Sequence, residues 1–130
     1  MSAAVSIVNG SPWEEFNHIN ITKEDLWTKL RLFDSRNDIL TAGSWFCNTG
    51  PADQGNIACG HAYTIIQTYE LNNGLKLLKM RNPWGTEQYN GPYSDGDYAW
   101  TEYIKEAVDY VDGGNEGIFY MDLDSYFRFF

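Results

Sequence analysis

The first chemistry in this sequence comes from a histidine and an asparagine at the two ends of one hairpin signal. His61 opens the β-type run His61 to Leu71, and Asn82 follows the run Leu75 to Met80. Asn72-Asn73-Gly74 joins the two runs with the turn residues of a β-hairpin, so His61 and Asn82 emerge at the same open end. An imidazole held through one ring nitrogen by an asparagine carbonyl has its tautomer and orientation fixed, which a thiol nucleophile requires of its general base. Taken alone, the pair also fits a surface or capping histidine. A tight turn at Asn73-Gly74 would set Asn82 opposite Ile65 rather than His61. A bulge, a twist or a wider turn has to absorb that difference.

The flanking residues narrow the choice. Gly60-His61-Ala62-Tyr63, then Arg81-Asn82-Pro83-Trp84-Gly85, then Asn90-Gly91-Pro92-Tyr93-Ser94-Asp95 resemble, in order and spacing, the second half of the catalytic core of calpains, the calcium-dependent papain-like cysteine proteases. Val8 to Pro12 is similar to the start of that half, and Ile118 to Met121 with Tyr126-Phe127 to its closing strand and helix, so the resemblance covers nearly the whole chain. It implies His61 as general base and acid, Asn82 as its orienting partner, Trp84 as the buried ring that keeps water from their hydrogen bond, and Gly60 as a further supporting residue. It further implies that the nucleophilic cysteine and the oxyanion-hole glutamine belong to an upstream lobe. Neither is recognisable here: Cys47 lies in the apolar run Ser44-Trp45-Phe46-Cys47 and reads as a buried thiol, and Cys59 stands too close to His61 to face it.

Calcium is implied by the same resemblance, through acids in the loop after Asn-Pro-Trp and near the last strand. Asp95 matches one such position and Glu116 stands near another, while Gln88 and Ile118 occupy two more. Ile118 has no side-chain oxygen, and Ca²⁺ takes six to eight oxygens with several negative charges. No cofactor is firmly expected, and Ca²⁺ stays open.

The elements that must position these residues form one domain's worth of chain. The 130 residues carry 21 aromatics among 43% apolar residues, which excludes a disordered tail. Nine Lys and Arg against eighteen Asp and Glu give a charge of −9, which argues against nucleic acid and anionic membranes as partners. No apolar run reaches membrane-spanning length, and Met1 to Gly10 lacks the features of a signal peptide, so a cytoplasmic location is expected, with reduced cysteines. Ala3 to Val8 reads as a strand. Thr22 with Glu24 and Asp25 starts a helix over Lys23 to Ser35, with Leu26, Trp27, Leu30 and Phe33 on one face.

Ile39 to Cys47 reads as a buried strand, Asn48 to Gly60 as a loop, and Arg81 to Asp97 as a long loop ordered by its rings. Ile104, Ala107, Val108 and Val111 mark a second helix, and Ile118 to Met121 a short strand. The ring-rich end Ser125 to Phe130 must be packed, and reads as a cut end. Strands and helices without regular alternation make this an α+β domain with a twisted, mainly antiparallel sheet and flanking helices, the architecture of the right-hand papain-like subdomain that the resemblance implies.

The expectation is therefore that residues 1–130 form the His/Asn subdomain of a calpain-type cysteine endopeptidase, inactive alone, with a peptide or protein substrate and the nucleophile-bearing lobe as partners. Two rival readings remain: a non-catalytic pseudoprotease or interaction module, and an unrelated binding domain whose aromatics line a groove.

Overall fold

The computed structural model describes residues 12–46, 55–86, 89–110 and 116–130. Among these residues four strands form one antiparallel sheet in sequence order: β1 (Leu40–Gly43), β2 (Ala62–Glu70), β3 (Lys76–Arg81) and β4 (Ile118–Asp122). Among the described residues three helices flank it: α1 (Lys23–Ser35), α2 (Glu102–Ala107) and α3 (Leu123–Phe129). This is the expected α+β class. The strand expected at Ala3 to Val8 lies outside the described residues. Among those described, no helix is long and apolar enough to cross a membrane.

Local chemistry explains the helix boundaries. Thr22 Oγ1 accepts from the Asp25 N–H at 3.1 Å and caps α1, Thr101 Oγ1 does the same for Ile104 at the start of α2, and Asp122 Oδ1 for Ser125 at the start of α3. The second helix is shorter than its apolar spacing predicted. It stops at Ala107, and Asp109 at φ 51° turns the chain away from helical geometry.

Each face of the sheet carries its own core. Tyr63, Ile65, Leu78, Met80, Phe119 and Met121 pack under α1 and α3, whereas Leu77 and Tyr120 on the other face meet Leu71, Ile104 and Val108. In the described part of the long loop Tyr93 packs on Trp100, which also meets Tyr110 and stands edge-on to Tyr120. Tyr126, Phe129 and Phe130 are buried against the first core, so the terminal rings leave no exposed patch.

The hairpin register settles how the site is assembled. Leu71 and Leu75 close a three-residue loop, Asn72-Asn73-Gly74, with Gly74 at φ +85°. Glu70 to Thr68 pair with Lys76 to Leu78, and the register shifts between Ile65 and Gln67, so that Ile65 faces Met80 and Thr64 faces Arg81. The bulge at Ile66 also changes which side chains share a face. Tyr63 and Ile65 before it, and Thr68 after it, all point toward α1 and α3. The wider turn and the bulge supply half of the correction the sequence required. Continuing the pairing sets Asn82 opposite Tyr63, which leaves His61 as its diagonal neighbour on the same face, a separation that an imidazole spans.

Candidate active site

Asn82 closes a turn that suits its sequence. In Asn82-Pro83-Trp84-Gly85 the Gly85 N–H reaches Asn82 O at 3.0 Å, and the Trp84 N–H reaches Asn82 Oδ1 at 3.1 Å, an Asx-turn laid over a β-turn. Pro83 takes a position that needs no N–H, and Gly85 adopts φ +73°. The Asn82 N–H is held by Gly117 O at 2.7 Å, and the side chain is only 4% exposed.

His61 Nε2 lies 2.9 Å from Asn82 Oδ1. The Trp84 N–H can only donate, so the atom it meets is the amide oxygen; that same oxygen faces Nε2, which must therefore carry the ring proton. Nδ1 is left with the lone pair and has no partner among the described residues. The Trp84 ring lies 4.0 Å from the imidazole, centroid to centroid, at 32°, and Tyr63 meets it edge-on at 4.8 Å. Trp84 is 60% exposed, however, where a buried ring was expected. It shields one face of the histidine and keeps its own outer face in solvent, because the turn that carries it runs on past the end of β3, a central strand of the sheet.

Gly60 sits at φ +54° beside His61, with its N–H on Trp45 O at 2.7 Å and the Phe46 ring across it. Cys59 is disulfide-bonded, which corrects the expectation of a reduced thiol. The turn from Ala58 to His61 folds back on Ser44 and Trp45. Cys47 lies outside the described residues.

The metal candidates are not gathered into a cage. Asp95 Oδ1 accepts from the Tyr110 hydroxyl at 3.0 Å, Glu116 is exposed, and Ile118 starts β4 opposite Arg81. Gln88 lies outside the described residues. Among those described, no group of three or more His, Cys, Asp or Glu side chains is placed to hold a metal ion.

Two supports of the site escaped the sequence. Gly117, at φ +76°, brings its backbone so close that an added Cβ would stand 2.6 Å from Asn82 O. Ser44 is a buried hydroxyl bonded to the main chain of His61. The available signals were a glycine at the mouth of a strand and a lone polar residue entering an apolar run.

Comparison with known proteins identifies the family. The family described as calpain family cysteine protease matches residues 1–130. The chain is 36% identical over 114 residues to the calpain-type cysteine protease ADL1 of Oryza sativa subsp. japonica and 35% identical over 114 residues to the calpain-type cysteine protease DEK1 of Arabidopsis thaliana, in each case over 85% of this chain and 5% of the relative. Calpain clp-4 of Caenorhabditis elegans is 34% identical over 84 residues, 59% of this chain and 12% of the relative. The chain thus spans a small part of the relatives it matches. With the family match over its whole length, the chain belongs to the calpain family of cysteine proteases.

Proposed function

We propose that this chain is the His/Asn half of a split active site in a calpain-type cysteine endopeptidase, and that it is inactive without the lobe that carries the nucleophile. The observation that carries the reading is the 2.9 Å contact from His61 Nε2 to Asn82 Oδ1, with Trp84 over the ring. In the assembled protease the free Nδ1 of His61 takes the proton of a thiol from the other lobe. The thiolate attacks the peptide carbonyl, the ring returns the proton to the leaving amine, and water then releases the acyl group with the same ring as base. Asn82 holds the ring throughout and moves no proton. The substrate is a protein or peptide. Calcium enters no step of it.

The test supplies the upstream lobe, fused or mixed, and follows cleavage of one peptide. Activity should return, vanish in His61→Ala, and persist at a reduced level in Asn82→Ala. Full activity in His61→Ala would remove the protease reading and favour the interaction module, as would a parent protein whose upstream lobe lacks a cysteine.

A further inference from the structure

One hydroxyl grips the turn that delivers His61. Ser44 follows β1 directly and is 8% exposed. Its Oγ accepts from the His61 N–H at 3.0 Å and stands 2.5 Å from Ala58 O and 3.2 Å from His61 O. A hydroxyl has one proton to donate, and the nearer Ala58 carbonyl takes it. The His61 carbonyl is served instead by the Ser44 N–H at 2.9 Å. Ser44 therefore ties both ends of the segment Ala58 to His61. Within that segment the Ala58 N–H is held by the Tyr63 hydroxyl at 3.0 Å and the Gly60 N–H by Trp45 O at 2.7 Å.

We propose that Ser44 is a positioning residue for His61, and that its hydroxyl sets where the imidazole stands against Asn82 Oδ1 and Trp84. The inference rests on the catalytic reading of His61. Ser44→Ala removes the hydroxyl alone and leaves the Ser44 N–H, the Tyr63 and Trp45 contacts and the Cys59 disulfide in place. The strand pairing of Gly43 with Ala62 would stay. What changes is the link beside Gly60, the residue of the segment with the most backbone freedom. Without an acceptor the His61 N–H moves toward water, and the ring follows its main chain away from an oxygen whose hydrogen bond tolerates only a few tenths of an ångström.

The experiment reads the ring directly. Imidazole nitrogen shifts of His61 are recorded in the ¹⁵N-labelled 130-residue chain and in Ser44→Ala, Ser44→Thr and Thr101→Ala. The native chain and Ser44→Thr, which keeps the hydroxyl, should show the single Nε2–H tautomer. Ser44→Ala should show a mixture of tautomers, and Thr101→Ala, which loses a distant helix cap, should melt earlier with the His61 signals unchanged. Native shifts in a folded Ser44→Ala would overturn the proposal, and so would equal loss of the signature in Thr101→Ala. If Ser44→Ala does not fold, amide exchange in the native chain decides: a protected His61 N–H supports the proposal, and one that exchanges at the unfolded rate overturns it.

In the assembled protease, Ser44→Ala should lower kcat by about 10- to 100-fold with KM unchanged, the scale of a misplaced catalytic group. Changed ring shifts with no peptidase activity in any variant would end the protease reading and leave the positioning role standing.

Discussion

The main-chain N–H of Trp84 and the ring of His61 meet the same oxygen of Asn82, at 3.1 and 2.9 Å. The turn geometry of Asn-Pro-Trp-Gly thereby dictates the protonation pattern of the histidine. An Asn82→Ala change removes both bonds, so the neutral ring should populate both tautomers, while Asn82→Asp keeps an acceptor and should retain Nε2–H. Nitrogen shifts of the His61 ring distinguish the three chains. An unchanged tautomer in Asn82→Ala would show that Asn82 does not set it.

Gly117 should be the least replaceable glycine near the site. A Cβ there would meet Asn82 O at 2.6 Å and Gly85 Cα at 3.1 Å, all backbone or backbone-linked atoms that cannot swing aside, and the residue sits at φ +76°. Left-handed backbone alone costs a non-glycine residue about 1 kcal/mol, and displaced neighbours add to it. Gly117→Ala is expected to lose about 2–4 kcal/mol in urea unfolding and to shift the Asn82 resonances. By contrast, Gly74→Ala pays only the cost of its φ of +85°, since nothing lies within 4 Å of its added Cβ.

How much of this was legible in the sequence depended on whether the deciding interaction was local. The first helix was readable to both ends because Thr22, Glu24 and the Leu26, Trp27, Leu30 stripe are all within its own turns. The hairpin was readable as a hairpin, and the diagonal approach of His61 to Asn82 was not. Its register turns on Ile66, where no glycine or proline marks the bulge. The bulge instead serves Thr68, which must face Asp34 on the first helix, a contact 34 residues away. Trp84 reads as buried by type, and only the placement of its turn beyond the end of β3 leaves it open. Ser44 and Gly117 act on residues 17 and 35 positions distant, beyond any spacing rule.

The contact between Asp34 and Thr68 should be among the more costly to break outside the site. One carboxylate oxygen accepts from the Thr68 N–H at 2.8 Å and from its hydroxyl at 2.6 Å, and Thr68 is 2% exposed. Removing the acceptor strands two donors in the interior, at about 1–3 kcal/mol for a buried group left unpaired. Asp34→Ala should therefore destabilise more than Thr68→Val, which removes the hydroxyl with its bond. The double variant should cost less than the two single losses added together. Urea midpoints of the four chains measure this, and strict additivity would contradict it.

His18 makes stability depend on pH in a predictable direction. Its ring stacks on Phe127 at 5.0 Å and meets Tyr126 edge-on at 5.2 Å, and burial between them lowers its pKa from the ordinary histidine value, more than the Phe127 carbonyl raises it. The folded chain therefore prefers the neutral ring. In the unfolded chain the same ring takes up a proton near pH 6.5. Above that pH both states hold it neutral and it contributes no slope. As pH falls below it, the unfolded state binds a proton that the folded state resists, so stability declines until the folded pKa is passed, where the loss is complete. Urea midpoints should fall between pH 7 and pH 5.5 in the native chain and change less in His18→Phe, which keeps a ring against Phe127 without a titrating nitrogen. Equal slopes in the two chains would assign the decline to other groups. A midpoint that rises toward pH 5.5 only with His18 present would mean that the folded ring prefers the charged form, the reverse of what its burial requires.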